Sequence, residues 1–206
     1  DSHSPQKIGR EANVFDTEIS YPAILEAIKT KNPQKFLYTV EFYPEEGKYH
    51  FDGHRNCQIR LSPQETRKYN GICPNCGKPL TIGVLNRVEQ LADRPEGFQP
   101  ESRIPFKSLV PLEEIIADVL FQNTGTKEVE KEYKNLIDKF SSEFNVLLEI
   151  SKEELGAVTL PEIVEGIIRV REGKVTKEPG YDGVYGKIRM FSQEEEKTAS
   201  RQKTLF

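Results

Sequence analysis

Apolar and polar residues follow a helical period in five stretches of the chain. In each stretch apolar side chains recur every three or four residues, which places them on one face of an α-helix. These stretches are 23–31, 84–92, 112–120, 128–140 and 159–172. Gly173 follows the last of them and can end that helix in the left-handed conformation. A shorter helix is predicted from Ser62, because Pro63 and Glu65 complete the pattern of a capped helix start.

Other stretches favour β-strands. Residues 36–42 alternate apolar and polar side chains, and the turn residues of 44–47 end that pattern. Segments 174–177 and 184–191 flank a turn-rich stretch at 179–183, which is typical of a strand pair. Residues 192–200 lack large apolar side chains, so we expect a loose tether there. The predicted fold class is therefore α/β in the broad sense, a mixed α+β protein.

The composition indicates a soluble protein whose charge is unevenly distributed. Of 206 residues, 36% are hydrophobic and 30% charged, and no apolar run approaches the length of a membrane span. Without a recognisable secretory signal we expect a cytoplasmic protein with no membrane partner. The net charge is −4, yet residues 54–94 contain seven Lys and Arg against three Asp and Glu. This stretch is either a phosphate-facing surface or an ordinary solvated one.

All three cysteines of the chain fall into a metal-ligand pattern. A His-x2-Cys pair and a Cys-x2-Cys pair, separated by a short spacer, supply four ligands suited to tetrahedral zinc. The ligands are His54, Cys57, Cys73 and Cys76, with His50 as an alternative to His54. Four protein ligands leave no open position, so the zinc would be structural. Reduced cysteines without a metal are the alternative, and an odd number of cysteines disfavours disulfides.

The start of the chain offers a second possible metal site. Side chains at positions i and i+2 of an extended segment face the same side, so Asp1 and His3 could act as an Asp-x-His pair of metal ligands. The alternative is that this segment is an exposed chain terminus without a function. Together with 4–5 and 9–11, the pair resembles the last metal-ligand motif of a PHP-family phosphoesterase barrel. Segments 48–57, 71–85 and 87–94 closely resemble the zinc segment of archaeal endonuclease Q.

This resemblance implies a DNA repair endonuclease. Enzymes of this family cleave the phosphodiester 5′ to hypoxanthine, uracil or an abasic site by metal-activated water, which requires catalytic divalent metals (Mg, Mn or Zn). Asp1 and His3 are the catalytic metal ligands that carry over. The chain begins at Asp1 rather than Met, so we expect a fragment. Because two ligands cannot hold a catalytic cluster, we expect the chain alone to be inactive.

Segment 94–100 is rich in turn residues and marks a domain boundary, and with it the resemblance implies four consecutive regions. Residues 1–43 correspond to the C-terminal end of the PHP (β/α) barrel, and 44–97 to the zinc-binding module. Residues 98–191 correspond to a helical α/β domain, and 192–206 to a flexible tail.

Several side chains are candidates for contact with DNA that contains damaged bases. The predicted zinc site would orient four cations, Arg55, Arg60, Lys78 and Arg87. Tyr181 and Tyr185 lie in the glycine-rich segment 180–186, where tyrosines suit stacking on an unstacked base. An ordinary glycine-rich turn is the alternative for that segment.

The end of the chain resembles a sliding-clamp peptide. Gln202, Leu205 and Phe206 match the front half of the PIP-box that archaeal repair proteins dock on the clamp, PCNA. The pattern normally adds aromatic residues two or three positions after the Leu, and this chain stops first.

Two other functions remain open from the sequence. The chain could be a non-catalytic zinc module that binds nucleic acid or a protein. Alternatively, the barrel could belong to a PHP phosphoesterase that acts on a small phosphate ester.

Overall fold

The computed structural model describes Pro5, residues 8–192 and Glu195. It shows a mixed α+β protein, which confirms the predicted fold class. The sheets of the described residues are small, with two or three strands each, and the predicted remnant of a PHP barrel is not shown. Over these described residues the strands and α-helices are, in chain order, β1 (Ala12–Phe15), α1 (Tyr21–Thr30), β2 (Phe36–Glu41), β3 (Asp52–His54), β4 (Ile59–Leu61), α2 (Pro63–Lys68), α3 (Val84–Leu91), β5 (Phe106–Ser108), α4 (Leu112–Val119), α5 (Lys127–Phe140), α6 (Lys152–Gly156), α7 (Pro161–Arg171), β6 (Thr176–Glu178) and β7 (Lys187–Arg189).

The chain forms two compact units, and neither is continuous in sequence. The first comprises the described residues up to Phe42, Ile104–Thr176 and the described residues from Arg189 onward. The second comprises Tyr43–Arg103 and Lys177–Ile188. The predicted zinc-binding stretch therefore lies in the second unit.

A three-stranded sheet forms part of the first unit. Strand β2 lies in the centre, with β1 antiparallel on one side and β5 parallel on the other. Helix α1 connects β1 to β2, and the Ser20 hydroxyl accepts a hydrogen bond from the Ala23 N–H at its start. Ala27 is fully buried on the inner face of this helix.

Three predicted amphipathic helices, α4, α5 and α7, form the main core of the first unit. Their apolar faces are buried, as the helical period requires. The fully buried side chains include Leu112, Ile115, Ile116, Leu136, Ile163 and Ile167. Gly173 has a φ of 67° just beyond α7, which confirms the predicted left-handed stop. A π-helical turn, Asn145–Glu149, separates α5 from α6.

The second unit contains the β3–β4 hairpin followed by helices α2 and α3. Helix α2 begins with the predicted capping box: the Ser62 hydroxyl accepts from the Glu65 N–H, and the Glu65 carboxylate accepts from the Ser62 N–H. Helix α3 also forms where predicted, but its apolar face is turned outward. The side chains on that face are 61%, 54% and 65% exposed for Val84, Val88 and Leu91.

Polar contacts hold α3 in place instead. Asp52 is fully buried and accepts hydrogen bonds from the Gly83 N–H (2.6 Å) and from Asn86 Nδ2 (2.7 Å). A carboxylate at a helix N-terminus is stabilised by the free N–H groups there. No helix among the described residues is long and apolar enough to cross a membrane.

Candidate metal centre and nucleic-acid interface

The first pair of candidate ligands lies at the tip of the β3–β4 hairpin. Strand β3 ends at His54, and a short 3₁₀ turn, Arg55–Cys57, follows at once. Gln58 then takes a left-handed conformation with a φ of 54°, and its N–H bonds to the Arg55 carbonyl at 3.0 Å. The turn thus places His54 and Cys57 on one short loop.

The second pair lies on a tight turn of its own. The Cys73 N–H bonds to the Lys78 carbonyl at 2.8 Å, and the Gly77 N–H bonds to the Cys73 carbonyl at 2.9 Å. Gly77 has a φ of 72°, a conformation that a side chain would strain. This is the geometry of a metal knuckle, in which backbone N–H groups surround the cysteine sulfurs.

Backbone pairing brings the two turns together. Gly53 on β3 pairs with Thr81, each N–H bonding to the other carbonyl at 3.0 and 2.8 Å. A small apolar cluster of Leu61, Cys73 and Leu80 lies beneath the turns. This cluster is too small to hold the two loops rigidly by itself, which is typical of modules that depend on a bound metal.

The four ligand atoms converge on one point. One atom from each residue lies within 4.8 Å of the others, and His54 Nδ1 lies 3.3 Å from Cys76 Sγ. One imidazole and three sulfurs match the donor set of structural zinc sites. The group that the structure assembles is His54, Cys57, Cys73 and Cys76.

The surroundings of Cys73 favour the thiolate that zinc requires. Burial of the sulfur opposes its ionisation, but N–H groups of Asn75 and Cys76 donate to it. These bonds, with those from the side chains of His54 and Cys76, lower the pKa of Cys73 to about 6. The convergence of the four ligand atoms and their donor types fit zinc, which would complete a closed tetrahedral shell.

His50 does not join the cysteines. Its ring stacks on Phe51 with centroids 5.5 Å apart, and burial lowers its pKa. Of the two histidines left open by the sequence, the structure brings His54 to the cysteines.

The four candidate DNA-binding cations are all exposed on the second unit. Two of them already have neutral partners, since Arg60 Nη1 donates to the Pro179 carbonyl and Arg87 Nη1 donates to Gln90 Oε1, each at 3.2 Å. Arg55 and Lys78 lie on the two ligand-bearing turns. By contrast, Arg67 forms an ion pair with Glu89 at 2.9 Å.

The glycine-rich segment 180–186 packs against the ligand-bearing part of the second unit. The Phe51 N–H bonds to the Gly180 carbonyl at 2.9 Å, and the Gly183 N–H bonds to the Lys48 carbonyl at 2.9 Å. Asp182 accepts from the Arg55 N–H and from the Thr81 hydroxyl, both at 2.6 Å. Burial opposes ionisation of this carboxyl, yet these donors hold the pKa of Asp182 below its usual value.

The two tyrosines of this segment have different surroundings. Tyr181 pairs with Phe51 and is partly buried, and its ring covers Gly53, where an added Cβ would lie 2.4 Å from Tyr181 Cδ2. Tyr185 is 70% exposed. Next to the segment lie two residues that the sequence did not single out, Lys48 and Tyr49. Nothing in their local sequence marks them, because only the folded segment brings them beside Tyr185.

Five of the sequence-predicted site residues lie outside the described part of the chain. They are Asp1, His3, Gln202, Leu205 and Phe206.

The chain is similar in sequence to two uncharacterised proteins and to one family of C-terminal domains. Residues 111–174 match the MJ0043 C-terminal domain family. The chain is 34% identical over 204 residues to the uncharacterised protein MJ0043 of Methanocaldococcus jannaschii, covering 95% of this chain and 25% of that protein. It is 30% identical over 191 residues to the uncharacterised protein YqxK of Bacillus subtilis, covering 92% of this chain and 45% of that protein.

The solved structures that it resembles are those of endonuclease Q, so the resemblance predicted from the sequence is confirmed. The crystal structure of the lesion-specific endonuclease PfuEndoQ from Pyrococcus furiosus superposes with a TM-score of 0.79 at 30% identity, covering 94% of this chain and 50% of that one. A second crystal structure shows endonuclease Q in complex with a 27-mer duplex that has an abasic lesion at the active site. It superposes with a TM-score of 0.75 at 31% identity, covering 93% of this chain and 48% of that one.

The chain thus spans about half the length of each solved endonuclease, and a quarter to a half of the sequence relatives.

Proposed function

We propose that this chain is part of a DNA repair endonuclease that cleaves 5′ to deaminated or abasic nucleotides, and that it supplies zinc-organised DNA binding. The observation that carries the proposal is the His/Cys ligand group, set in a fold similar over 94% of the chain to a lesion-specific endonuclease. A related structure of that enzyme contains duplex DNA with an abasic lesion, which supports the same class of ligand here.

In this proposal zinc holds two cationic turns in a fixed relation. Arg55 follows the ligand His54 directly, and Lys78 lies two residues after the ligand Cys76. Phosphate contacts position a protein on DNA and dominate its affinity, so rigid cations on a metal-bound scaffold suit that role. Arg60 and Arg87 extend the cationic surface within the same unit.

Binding to a fluorescent duplex with one abasic site tests this proposal by anisotropy across a salt series. We expect Arg55→Ala and Lys78→Ala each to weaken binding and to reduce the salt slope by about 1. Arg67→Ala is the matched control, because its charge is already paired with Glu89. If the zinc-loaded chain bound no DNA at low salt, the proposal would fail.

The catalytic part of the proposal concerns a PHP-type barrel to which residues 1–43 would contribute. Asp1 and His3 would be two ligands of its Mg, Mn or Zn ions, whose role is to activate the attacking water. We expect the 206-residue chain alone to leave uracil-containing DNA intact in a nicking assay with Mn²⁺ or Mg²⁺. Robust cleavage by this chain alone would contradict that expectation.

A purely DNA-binding role for this chain is the second candidate. It is favoured by the ligand group itself, since four protein donors leave no coordination position for a substrate. Nicking of the same DNA by the longer protein, abolished by Asp1→Ala or His3→Ala, would favour the nuclease over this candidate.

We also propose that the tail binds a sliding clamp through Gln202, Leu205 and Phe206. The support is the match to a PIP-box in a protein similar to a repair endonuclease. Calorimetry of the full chain with PCNA, with Gln202→Ala as control, tests this directly. The clamp-binding proposal would fail if the unmodified chain gave no heat of binding. It would also fail if the unmodified chain and the Gln202→Ala variant gave the same heat.

A further inference from the structure

Two exposed tyrosines of the second unit lie close to the same lysine. Lys48 Nζ lies 5.8 Å from the centroid of the Tyr49 ring and 5.6 Å from that of the Tyr185 ring. Tyr49 is 47% exposed and Tyr185 is 70% exposed. A tyrosine exposed to this extent keeps much of its ring available to another molecule, and it carries a large apolar area at low conformational cost.

A guanidinium group borders the same surface. A Cβ atom built on Gly183 would lie 3.5 Å from Arg55 Nη1 and 3.8 Å from the Tyr49 hydroxyl. Gly183 has a φ of 84° and presents only backbone at this point. We call the surface formed by Lys48, Tyr49, Arg55, Gly183 and Tyr185 the tyrosine patch.

The tyrosine patch stands on a well-fixed backbone. The Gly183 N–H bonds to the Lys48 carbonyl, which ties the loop of Tyr185 to the segment of Tyr49. The Asp182 carboxylate accepts from the Arg55 N–H, which ties the same loop to Arg55. Because the loop is already ordered, a ligand that binds there loses little affinity to ordering it.

We propose that the tyrosine patch binds an unstacked nucleotide of single-stranded or locally opened DNA. Tyr49 and Tyr185 stack on bases, and Lys48 and Arg55 contact the adjoining phosphates. Bases inside an intact duplex hide their faces, so aromatic side chains gain from DNA only where bases are unstacked. This inference rests on the proposed DNA binding and adds the conformation of the DNA that the site selects.

The choice of nucleic acid over a protein partner follows from the composition of the patch. Its side chains are two tyrosines and two cations, and the carboxylate of Asp182 accepts hydrogen bonds from the Arg55 N–H and the Thr81 hydroxyl. Aromatic rings interleaved with cations are the usual means of binding single strands without sequence preference.

Fluorescence anisotropy with a labelled 15-nucleotide oligo-dT and an intact 20-base-pair duplex, at one fixed salt concentration, tests the inference. We expect Tyr49→Ala and Tyr185→Ala each to weaken oligo-dT binding by about tenfold. Duplex affinity should stay within about twofold, because phosphate contacts dominate it. Tyr49→Phe and Tyr185→Phe should keep oligo-dT affinity, since the ring rather than the hydroxyl stacks.

Tyr69→Ala is the matched control, because Tyr69 is 46% exposed in the same unit but is no part of the patch. Thermal melting of each variant checks that the fold is retained. Unchanged oligo-dT affinity in both Ala variants, with duplex binding intact, would overturn the inference and leave the proposed function standing. Equal losses on oligo-dT and duplex would also overturn it. If the unmodified chain bound neither DNA, both this inference and the proposed DNA binding would fail.

Discussion

Individual aspartates join segments that are far apart in the sequence. Asp52 holds the start of α3, as described above, and Asp182 holds the turn at Arg55. In the first unit Asp118 accepts from Arg189 Nη1 at 3.1 Å and from the Met190 N–H at 2.8 Å. A carboxylate with two oxygens can bind two donors at once, which suits it to fixing irregular backbone.

Replacing Asp182 should weaken the attachment of the 180–186 segment. Asp182→Ala leaves the Arg55 N–H and the Thr81 hydroxyl without their acceptor, at a cost of about 1–3 kcal/mol in the free energy of unfolding. Denaturant titration measures this loss. Asp93→Ala, at a side chain that is 80% exposed, is the control and should change stability by no more than about 0.5 kcal/mol.

Tyr133 supplies a pH-dependent contribution in the first unit. Its hydroxyl donates to Glu143 Oε2 at 3.1 Å, and burial together with the Glu143 charge raises the pKa of Tyr133 to about 12. A raised pKa in the folded state means that the contribution is complete below the unfolded value of about 10 and is lost as the pH rises toward 12.

We therefore expect Tyr133→Phe to be less stable than the unmodified protein by about 1 kcal/mol at pH 8. The difference should narrow as the pH rises from about 10 to 12. Urea titrations of both proteins across this range measure it. A difference that stayed constant with pH would show that the pKa of Tyr133 is not raised in the folded protein.

At the scale of elements, helix starts are well predicted where the capping residues precede an apolar period. The pattern at Ser62 predicted α2 and its capping box. Ser151 and Glu154 form the same box at the start of α6, yet α6 was not predicted, because it spans only five residues and is too short to show a helical period. Strands β1, β3, β4 and β5 were also missed, since three or four residues hardly display alternation.

Helix α7 packs closely on α4 at Gly166. A Cβ atom at this position would lie 2.9 Å from Val119 Cγ2 and 3.2 Å from Ile115 Cγ2. Both neighbours are β-branched side chains with restricted rotamers, so neither can yield easily. The glycine is therefore a requirement of the helix crossing, although glycine weakens a helix by itself.

We expect Gly166→Ala to lower the free energy of unfolding by about 1–3 kcal/mol despite its better helix propensity. Gly156→Ala in α6 is the matched control, because no atom lies within 4 Å of its added Cβ, and there the gain in propensity should dominate. Chemical denaturation of both variants compares them. A stabilised Gly166→Ala protein would mean that the α4–α7 contact is looser than these distances indicate.

At the scale of the whole chain, the four predicted regions are consecutive, whereas the two compact units are not. Segment 177–188 belongs to the same compact unit as the predicted zinc-binding stretch. It contributes Asp182 and Tyr185 to that unit. This arrangement depends on long-range backbone bonds, for example between Gly183 and Lys48. The four predicted domains, 1–43, 44–97, 98–191 and 192–206, therefore stay a prediction.

Removal of the proposed zinc should affect the two units unequally. The apolar cluster beneath the ligands contains only three buried residues, whereas the first unit has an extensive helical core. We expect chelation to speed amide hydrogen exchange in 43–103 at least tenfold and to leave 112–119 and 161–171 nearly unchanged. Hydrogen-exchange mass spectrometry with and without EDTA, alongside metal analysis, measures both. Protection unaffected by chelation would refute a structural metal.

The sequence alone predicted the three cysteine ligands, the amphipathic helices of the core and the resemblance to endonuclease Q, because each depends on residues close together in the chain. Spacing decides whether two cysteines fit one knuckle, and period decides which face of α4 is buried. Only the tertiary structure selected His54 over His50, turned the apolar face of α3 outward and placed Tyr49 beside Tyr185. These features arise where segments far apart in the sequence come into contact. Long-range contacts determine which segments do so, and the local sequence pattern does not contain that information.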